Sequence, residues 1–277
     1  MIHREENAVV GIVSAILLVG LLVTVFTIIQ TVYVPQWMEE REAEHMKNIG
    51  SQFMFLKFAI DTELVSNSSL SITVPITLGT DKIPFLLSEK SYGSLELKKD
   101  ACRVEIREGG HIYSFNLGVI EYSSRNNYFV DQKYIYENGA IIISQTQGNT
   151  LVSPGFFSIS KENNRLTIDM TIVNISTSDI KTTAYGYSTA SVLVKRDPSG
   201  DMEIEIENIS QIRIYTSYSH AWKKFFEKTF IEAGLEENKD YWFTENKDSI
   251  TINLGYSNLL HLSSKGVYAE VAPSWLS

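Results

Sequence analysis

Residues 8–34 read AVVGIVSAILLVGLLVTVFTIIQTVYV, a stretch of 27 residues without a charged side chain. A helix rises about 1.5 Å per residue, and about 20 apolar residues are enough to cross a hydrocarbon core of roughly 30 Å. Backbone polar groups in lipid must be paired within their own segment, so a spanning stretch of this kind has to be helical. The sequence therefore predicts a transmembrane helix over residues 8–34, preceded by a short head of residues 1–7.

Two other interpretations of this stretch are a cleaved secretory signal and the core helix of a soluble protein. The apolar core of a signal is shorter, about 7–15 residues, and ends at a small-residue cleavage site. The segment from residue 28 to 33 offers no such site, and 27 uncharged residues are unusual for a buried core helix. We expect a retained anchor in membrane lipid, with the rest of the chain as a tethered polar body.

The flanks of the apolar stretch bear on its orientation. Arg4 and the α-amine precede it, whereas the acidic segment of residues 39–44 follows it with a single arginine. Positive charge favours the cytoplasmic side. The body also carries N-x-S sequons at Asn67, Asn174 and Asn208, which suit an extracellular location. We predict a single-pass protein of the cell membrane, with a cytoplasmic head and an extracellular C-terminal domain.

The helical pattern continues beyond the membrane. Apolar residues recur at steps of three and four over residues 46–60, with polar side chains on other faces. This spacing predicts an extracellular amphipathic helix over residues 35–66 that continues the first. Pro35 lacks an N–H, so we expect the helix to kink or break there. Tyr33 and Trp37 are expected at the membrane interface.

From Leu70 onward the period of the apolar residues shifts towards two, which is typical of β-strands. Turn signals separate these segments, notably residues 108–110 and the Asn-Gly pair at 138–139. We predict that residues 67–277 form an antiparallel, sandwich-like β-rich domain, so that the fold class is α+β. One short aromatic helix is predicted at about residues 219–233. Its aromatic side chains fall mainly on one face and are expected to pack in the core: Trp222, Phe225, Phe226 and Phe230.

Composition and motifs exclude several functions. The formal net charge is −9 and no basic stripe is present, which argues against nucleic acid as a partner. Cys102 is the only cysteine, so the chain has no internal disulfide and no cysteine-based zinc site; its alternating segment predicts a buried structural thiol. Residues 197–201 place oxygen-bearing side chains with a spacing that calcium-binding loops also use. Calcium loops have their glycine at the sixth position, whereas Gly200 falls at the fourth, so we predict a tight turn instead.

No catalytic constellation is visible in the sequence. The five histidines lack metal-site spacing, and neither a nucleophile elbow nor a phosphate-binding glycine loop is present. We therefore predict no catalytic, cofactor-binding or metal-ligating residue and no cofactor. An ectoenzyme would need carboxylates or histidines that converge in a cleft.

A short charged head is followed by four segments that carry a resemblance to a known family: residues 8–13, 34–37, 134–141 and 221–226. Together they resemble archaeal type IV pilin-like and pseudopilin-like surface proteins. The resemblance implies a long helix that stores the subunit in the membrane, bundles with the helices of like or other pilin-like subunits, and carries a β-rich head outside. The head departs from the family's cut site, because it has no glycine and Glu5 and Glu6 precede the apolar run. A full-length anchor is the alternative to a processed subunit.

These observations lead to two hypotheses on function. The first is a non-enzymatic, membrane-anchored cell-surface protein, a pilin-like or pseudopilin-like subunit. The second is a membrane-anchored extracellular binding module for a surface-layer protein, a glycan or a solute. Aromatic side chains on the sheet would form its binding surface, with these candidates: Tyr185, Tyr187, Tyr215 and Tyr218.

Overall fold

The N-terminal part of the chain is one long helix. A computed structural model describes these segments: residues 2–65, 70–84, 88–162, 165–178, 180–255 and 257–273. The helix begins as α1, Ile2–Ile28, passes through a five-residue π-helical turn, Ile29–Tyr33, and continues as α2, Val34–Val65. The described side chains of α1, from residue 10 onward, are exposed, whereas α2 buries one face in the body.

The sequence predicted a kink or a break at Pro35, and the helix does not break there. The helix instead forms a wider π turn just before the proline, in which the Val34 N–H donates to the Ile29 carbonyl five residues earlier. A proline removes one helical N–H and needs space for its ring, and a π turn on its N-terminal side relieves that crowding. The apolar and amphipathic halves therefore form a single rod.

The body beyond α2 consists of two β-sheets and one further helix. Their bounds are β1 Ser71–Thr77, β2 Tyr92–Glu108, β3 His111–Arg125, β4 Gln132–Glu137, β5 Ala140–Gln145, β6 Gly148–Ser153, β7 Phe157–Glu162, β8 Arg165–Ser176, β9 Thr183–Gly186, β10 Thr189–Arg196, β11 Met202–Glu207, β12 Ile209–Tyr215, α3 Ser219–Glu232, β13 Tyr241–Asn246, β14 Ser249–Leu254 and β15 Asn258–Pro273. A one-turn 3₁₀ helix, Pro198–Gly200, lies between β10 and β11. The α+β class predicted from the sequence is confirmed.

The first sheet is ordered β1-β10-β15-β8-β7. One edge of the long strand β15 pairs with β11 in its first half and with β10 in its second half. The other edge of β15 pairs with β8, and this pairing is parallel. The sequence predicts antiparallel strands, and within the described residues the parallel pair of β15 and β8 is the exception.

The second sheet is ordered β13-β14-β12-β2-β3-β4-β5-β6, with β9 pairing the start of β2. Its hairpins occur where the turn signals predict them. Asn138 and Gly139 connect β4 to β5 with φ values of 47° and 79°, the positive values that a type I′ turn requires. Gly109, with φ of 54°, lies in the turn between β2 and β3.

Two clusters of buried apolar side chains hold the layers together. The first lies between the two sheets and α3, and it includes Trp222, Phe226 and Phe230. The second lies between α2 and both sheets. The buried face of α2 in that cluster comprises Met46, Ile49, Phe53, Leu56, Ala59, Ile60 and Leu64. The same helix that leaves α1 is thus the central element of the second core.

Candidate functional site

The N-terminal helix fits a membrane anchor. It is the one helix among the described residues that is long and apolar enough to cross a membrane, and its apolar window is not buried in the protein. Large side chains such as Leu17 and Phe26 are exposed along it. A helix that is apolar all round and uncovered by protein needs another apolar environment, and a bilayer supplies one.

Glu42 fastens the body to α2 a short distance after the apolar segment. Its carboxylate is fully buried and accepts hydrogen bonds from three consecutive backbone N–H groups. The donors are Asn127 at 3.0 Å, Tyr128 at 2.8 Å and Phe129 at 2.7 Å. Bonds of this charge-assisted kind are stronger than neutral ones, so the loop after β3 is held firmly on the helix.

A second polar contact lies one helical turn further on. The Tyr122 hydroxyl donates to the Leu78 carbonyl at 2.7 Å, and the His45 Nε2 lies 3.0 Å from the same hydroxyl. Since the Tyr122 proton is already used, the His45 Nε2 carries the proton that it donates to Tyr122. Burial lowers the pKa of His45. Gly93 permits this packing, because a Cβ there would lie 2.0 Å from the Leu78 carbonyl oxygen.

A cavity of about 780 Å³ opens beside this junction. Its lining side chains are Lys82, Glu89, Lys90, Tyr92, Arg125, Asn127 and Tyr187. Asn127 belongs to the loop that Glu42 holds, and its side-chain amide donates to the Lys90 carbonyl at 3.0 Å. The cavity is therefore built on the end of the body that faces the apolar helix. We call it the basal cavity.

Tyrosines form one wall of the basal cavity. Tyr92 packs against Tyr185, with ring centroids 6.5 Å apart, and edge-to-face against Tyr187 at 5.5 Å. The Lys90 ammonium lies 5.6 Å from the centroid of the Tyr187 ring. Tyr185 is 71% exposed and Tyr187 51% exposed, so this aromatic surface is open to solvent. The structure brings together these two of the four tyrosines that the sequence suggested.

The other two tyrosines lie elsewhere, Tyr215 at the end of β12 and Tyr218 just before α3. The Tyr215 ring packs 4.1 Å from the Arg103 guanidinium, and its hydroxyl donates to Glu105. The Tyr218 hydroxyl donates to Glu121 at 3.1 Å. Tyr215 pairs with Arg103 on β2, whereas Tyr185 pairs with Ser94 on the same strand. These two β2 residues are nine positions apart, or about 30 Å along the strand. The four side chains do not form one binding surface.

Glu137 is a buried carboxyl that the sequence analysis did not single out. Its Oε1 accepts hydrogen bonds of 2.7 Å from both Thr216 and the indole N–H of Trp222, which ties β4 to the start of α3. Burial raises the pKa of Glu137 to about 7, against the lowering effect of these two bonds. The only sequence signal is its position immediately before the Asn138-Gly139 turn.

This carboxyl predicts a pH dependence of stability. The folded pKa of about 7 lies above the ordinary value of 4.5, so the contribution of Glu137 is fully present below pH 4.5 and is lost as the pH rises through 7. The difference corresponds to about 3 kcal/mol. Glu137→Gln cannot ionise and keeps the acceptor for Trp222. We expect its unfolding free energy relative to wild type to rise by about 3 kcal/mol between pH 4.5 and 8.

Urea unfolding of both proteins at the two pH values measures this change. His45 has the opposite effect: because its pKa is lowered in the folded protein, its contribution to the free energy of unfolding is lost as the pH falls. This contribution is the same in variant and wild type, so it cancels when the difference between the two proteins is taken. A difference that stays constant with pH would show that burial does not raise the pKa of Glu137 in the folded protein above its ordinary value.

The remaining predicted features have simple structural roles. Residues 197–201 form the predicted turn, in which Asp197 accepts from the Ser199 N–H and Arg196 pairs with Asp201. Cys102 is buried, and burial raises the pKa of its thiol well above the ordinary value. In the part of the chain that the structure describes, no cluster of three or more His, Cys, Asp or Glu side chains is suited to a metal ion.

The sequons differ in accessibility. Asn208 is exposed in the turn between β11 and β12, whereas Asn174 is half-buried within β8. Asn67 lies outside the described residues. Of the two that can be placed, only Asn208 presents its side chain openly for modification.

Comparisons with protein-family models, with curated proteins and with solved structures give no match for this chain. The fold and the site define a β-rich body mounted on an apolar N-terminal helix that fits a membrane anchor.

Proposed function

We propose that the protein is a non-enzymatic, membrane-anchored cell-surface subunit of the pilin-like or pseudopilin-like kind. The observation that carries the proposal is the single rod of α1 and α2, apolar and uncovered in its first half and packed into a β-rich body in its second. In this proposal residues 8–34 cross the cell membrane, residues 1–7 stay in the cytoplasm, and residues 67–277 are extracellular.

An exposed apolar face on α2 supports assembly with like subunits. Met54, Phe55 and Phe58 point away from the body; Phe55 is 49% and Phe58 64% exposed, and their rings are 6.3 Å apart. Phe55 lies 21 residues beyond Val34, the end of the proposed membrane span, or about 32 Å along the helix. Lipid does not reach that height, so the partner for this face is protein.

Anchoring in a shared membrane favours a second copy of this chain as the protein that covers the exposed face of α2. Every anchored copy carries Met54, Phe55 and Phe58 at the same height above the bilayer, so neighbouring rods meet at matching levels. Burial of such side chains contributes about 25 cal/mol per Å² of apolar surface removed from water. The pilin resemblance likewise implies contact between subunits through the long N-terminal helix.

Cysteine cross-linking tests this assembly. In a Cys102→Ser background, Met54→Cys is expected to give disulfide-linked dimers when native membranes are oxidised. Lys228→Cys, at an exposed position of α3, is the matched control and should give only background dimer. Adding Phe55→Ser and Phe58→Ser to the Met54→Cys protein should lower the dimer yield at least fivefold. Equal yields from positions 54 and 228 would contradict a specific interface.

Shearing tests the pilin-like role itself. We expect the body to be released from cells in high-molecular-weight material that still contains residues 8–34. Recovery only as a membrane-bound monomer would leave the anchor intact and exclude a filament subunit.

The exposed tyrosines at and beside the basal cavity favour a second candidate, a membrane-anchored binding module for a surface-layer protein, a glycan or a solute. Tyr185 and Tyr187 beside an open cavity are the aromatic surface that such a module needs. A binding module requires no contact between copies. Absence of the Met54→Cys dimer together with retention of a cell-surface component by the body would favour it over the subunit.

A further inference from the structure

The basal cavity lies at the height of lipid headgroups if α1 spans the bilayer. Tyr33 and Trp37, whose rings are 5.8 Å apart, are the side chains expected at the interface. Glu42 follows Trp37 by five residues, about 8 Å along the helix, and it holds the loop of Asn127. The polar layer on each side of the hydrocarbon core is about 5–8 Å thick. The cavity that Asn127 lines is therefore next to that layer.

The strand directions place the other lining residues at the same end. Gln52 on α2 contacts Thr77 of β1, and further along the helix Glu63 contacts Arg196 at the end of β10. Strand β1 thus runs back towards the membrane and ends at Thr77 on the membrane-facing side. Tyr187 lies just before β10, at that strand's membrane-facing start.

The charge of the basal cavity is opposite to that of the whole chain. The chain carries −9, yet Lys82, Lys90 and Arg125 all line this cavity. Among the described residues Lys82 and Arg125 are exposed and have no carboxylate partner within ion-pair distance. Lys90 lies 3.4 Å from Asp81, whose side chain is 93% exposed, and such a pair is weak.

One further carboxylate lines the cavity, that of Glu89. Three cations against Glu89 and Asp81 leave a net positive charge at the lining of the cavity. Exposed charges act over about 8–10 Å at physiological ionic strength, which is the distance to the headgroup layer.

We propose that the basal cavity binds the phosphate of an anionic lipid headgroup in the leaflet on which the body stands. Lys82 and Arg125 hold the phosphate oxygens, Arg125 with its paired N–H donors. The Tyr92 and Tyr187 rings pack against the glycerol portion, as aromatic side chains do at membrane interfaces. A cavity of about 780 Å³ is large enough for such a group.

The anchor makes lipid the favoured source of this phosphate. The tether keeps the cavity at the membrane surface, so headgroups are present at an effective concentration in the millimolar range or above. A soluble anion has no such advantage. The inference rests on the membrane anchoring within the proposed function, and it is independent of contact between copies.

Native mass spectrometry of the full chain from uncharged detergent micelles tests the proposal. The probes are dihexanoyl phosphatidylglycerol, dihexanoyl phosphatidylcholine and inorganic phosphate, each added separately. We expect one phosphatidylglycerol to be retained, at least five times more often than phosphatidylcholine. Lys82→Gln with Arg125→Gln should reduce retention at least fivefold. Lys224→Gln with Lys228→Gln, which removes the same charge from α3, should leave it unchanged.

Three results would overturn the proposal. These are equal retention of both lipids, equal retention by the two double variants, and displacement of phosphatidylglycerol by millimolar inorganic phosphate, which would indicate a soluble-anion site. Both variants change exposed side chains, and unchanged thermal unfolding verifies that they are folded. Because the Met54→Cys dimer does not depend on this cavity, failure here is distinguishable from failure of the subunit proposal.

Discussion

Replacement of Glu42 by alanine is expected to lower the free energy of unfolding of the body by about 3–5 kcal/mol. The fully buried carboxylate accepts from three backbone N–H groups, and alanine leaves all three without their acceptor. The loop of residues 126–131 should separate from α2. Denaturant unfolding of the full chain in detergent measures the first effect, and amide hydrogen exchange at Asn127, Tyr128 and Phe129 measures the second.

Glu44→Ala is the matched control for this prediction. Glu44 carries the same charge two residues further along α2, and it is exposed. We expect its unfolding free energy to stay within about 0.5 kcal/mol of wild type, with the three amides still protected. If both variants unfold alike, Glu42 does not hold the body on the helix, and the placement of the basal cavity above the membrane loses its main support.

Phe53→Ala should have an effect of similar size on the core between α2 and the sheets. The Phe53 ring is fully buried and lies 6.5 Å from the Tyr122 ring and 5.8 Å from the Tyr134 ring. Removing a buried phenylalanine leaves a cavity and costs about 3–5 kcal/mol. The measurement is again denaturant unfolding of the full chain.

Phe55→Ala, two positions along the same helix, separates packing within the body from contact between copies. Phe55 faces outward, so its loss should change the stability of the isolated chain by no more than about 0.5 kcal/mol. It should instead lower the cross-linking yield through Met54→Cys. A large loss of stability with Phe55→Ala and a small one with Phe53→Ala would reverse the assignment of the two faces of α2.

Local patterns predicted much of the fold. The uncharged run of residues 8–34 and the period of residues 46–60 predicted the long helix, and the turn residues Asn138 and Gly139 predicted the hairpin of β4 and β5. These features depend on neighbours in sequence, which is why periodicity and turn chemistry identify them. Of the kink or break predicted at Pro35, the break does not occur, because the rule for proline inside a helix does not anticipate a π turn before it.

Contacts between distant parts of the chain were not predictable in this way. The parallel pairing of β15 with β8 joins residues about 90 positions apart, starting with Asn258 opposite Leu166. Glu42 looked like one of several surface acids in its helix, and only the loop that folds over it makes it a buried acceptor. The basal cavity likewise combines residues from separate loops, so no local motif marks it. The sequence suggested Tyr185 and Tyr187 because they are aromatic, without indicating the cations beside them.

The central claim is that residues 8–34 are retained and hold the body in a membrane. The most direct test is the intact mass of the native protein recovered from membranes after an alkaline carbonate wash. The account predicts a chain that still contains residues 8–34, that stays in the washed membrane pellet and that only detergent releases. A mature chain that begins after residue 34 and is recovered in the aqueous fraction would contradict it.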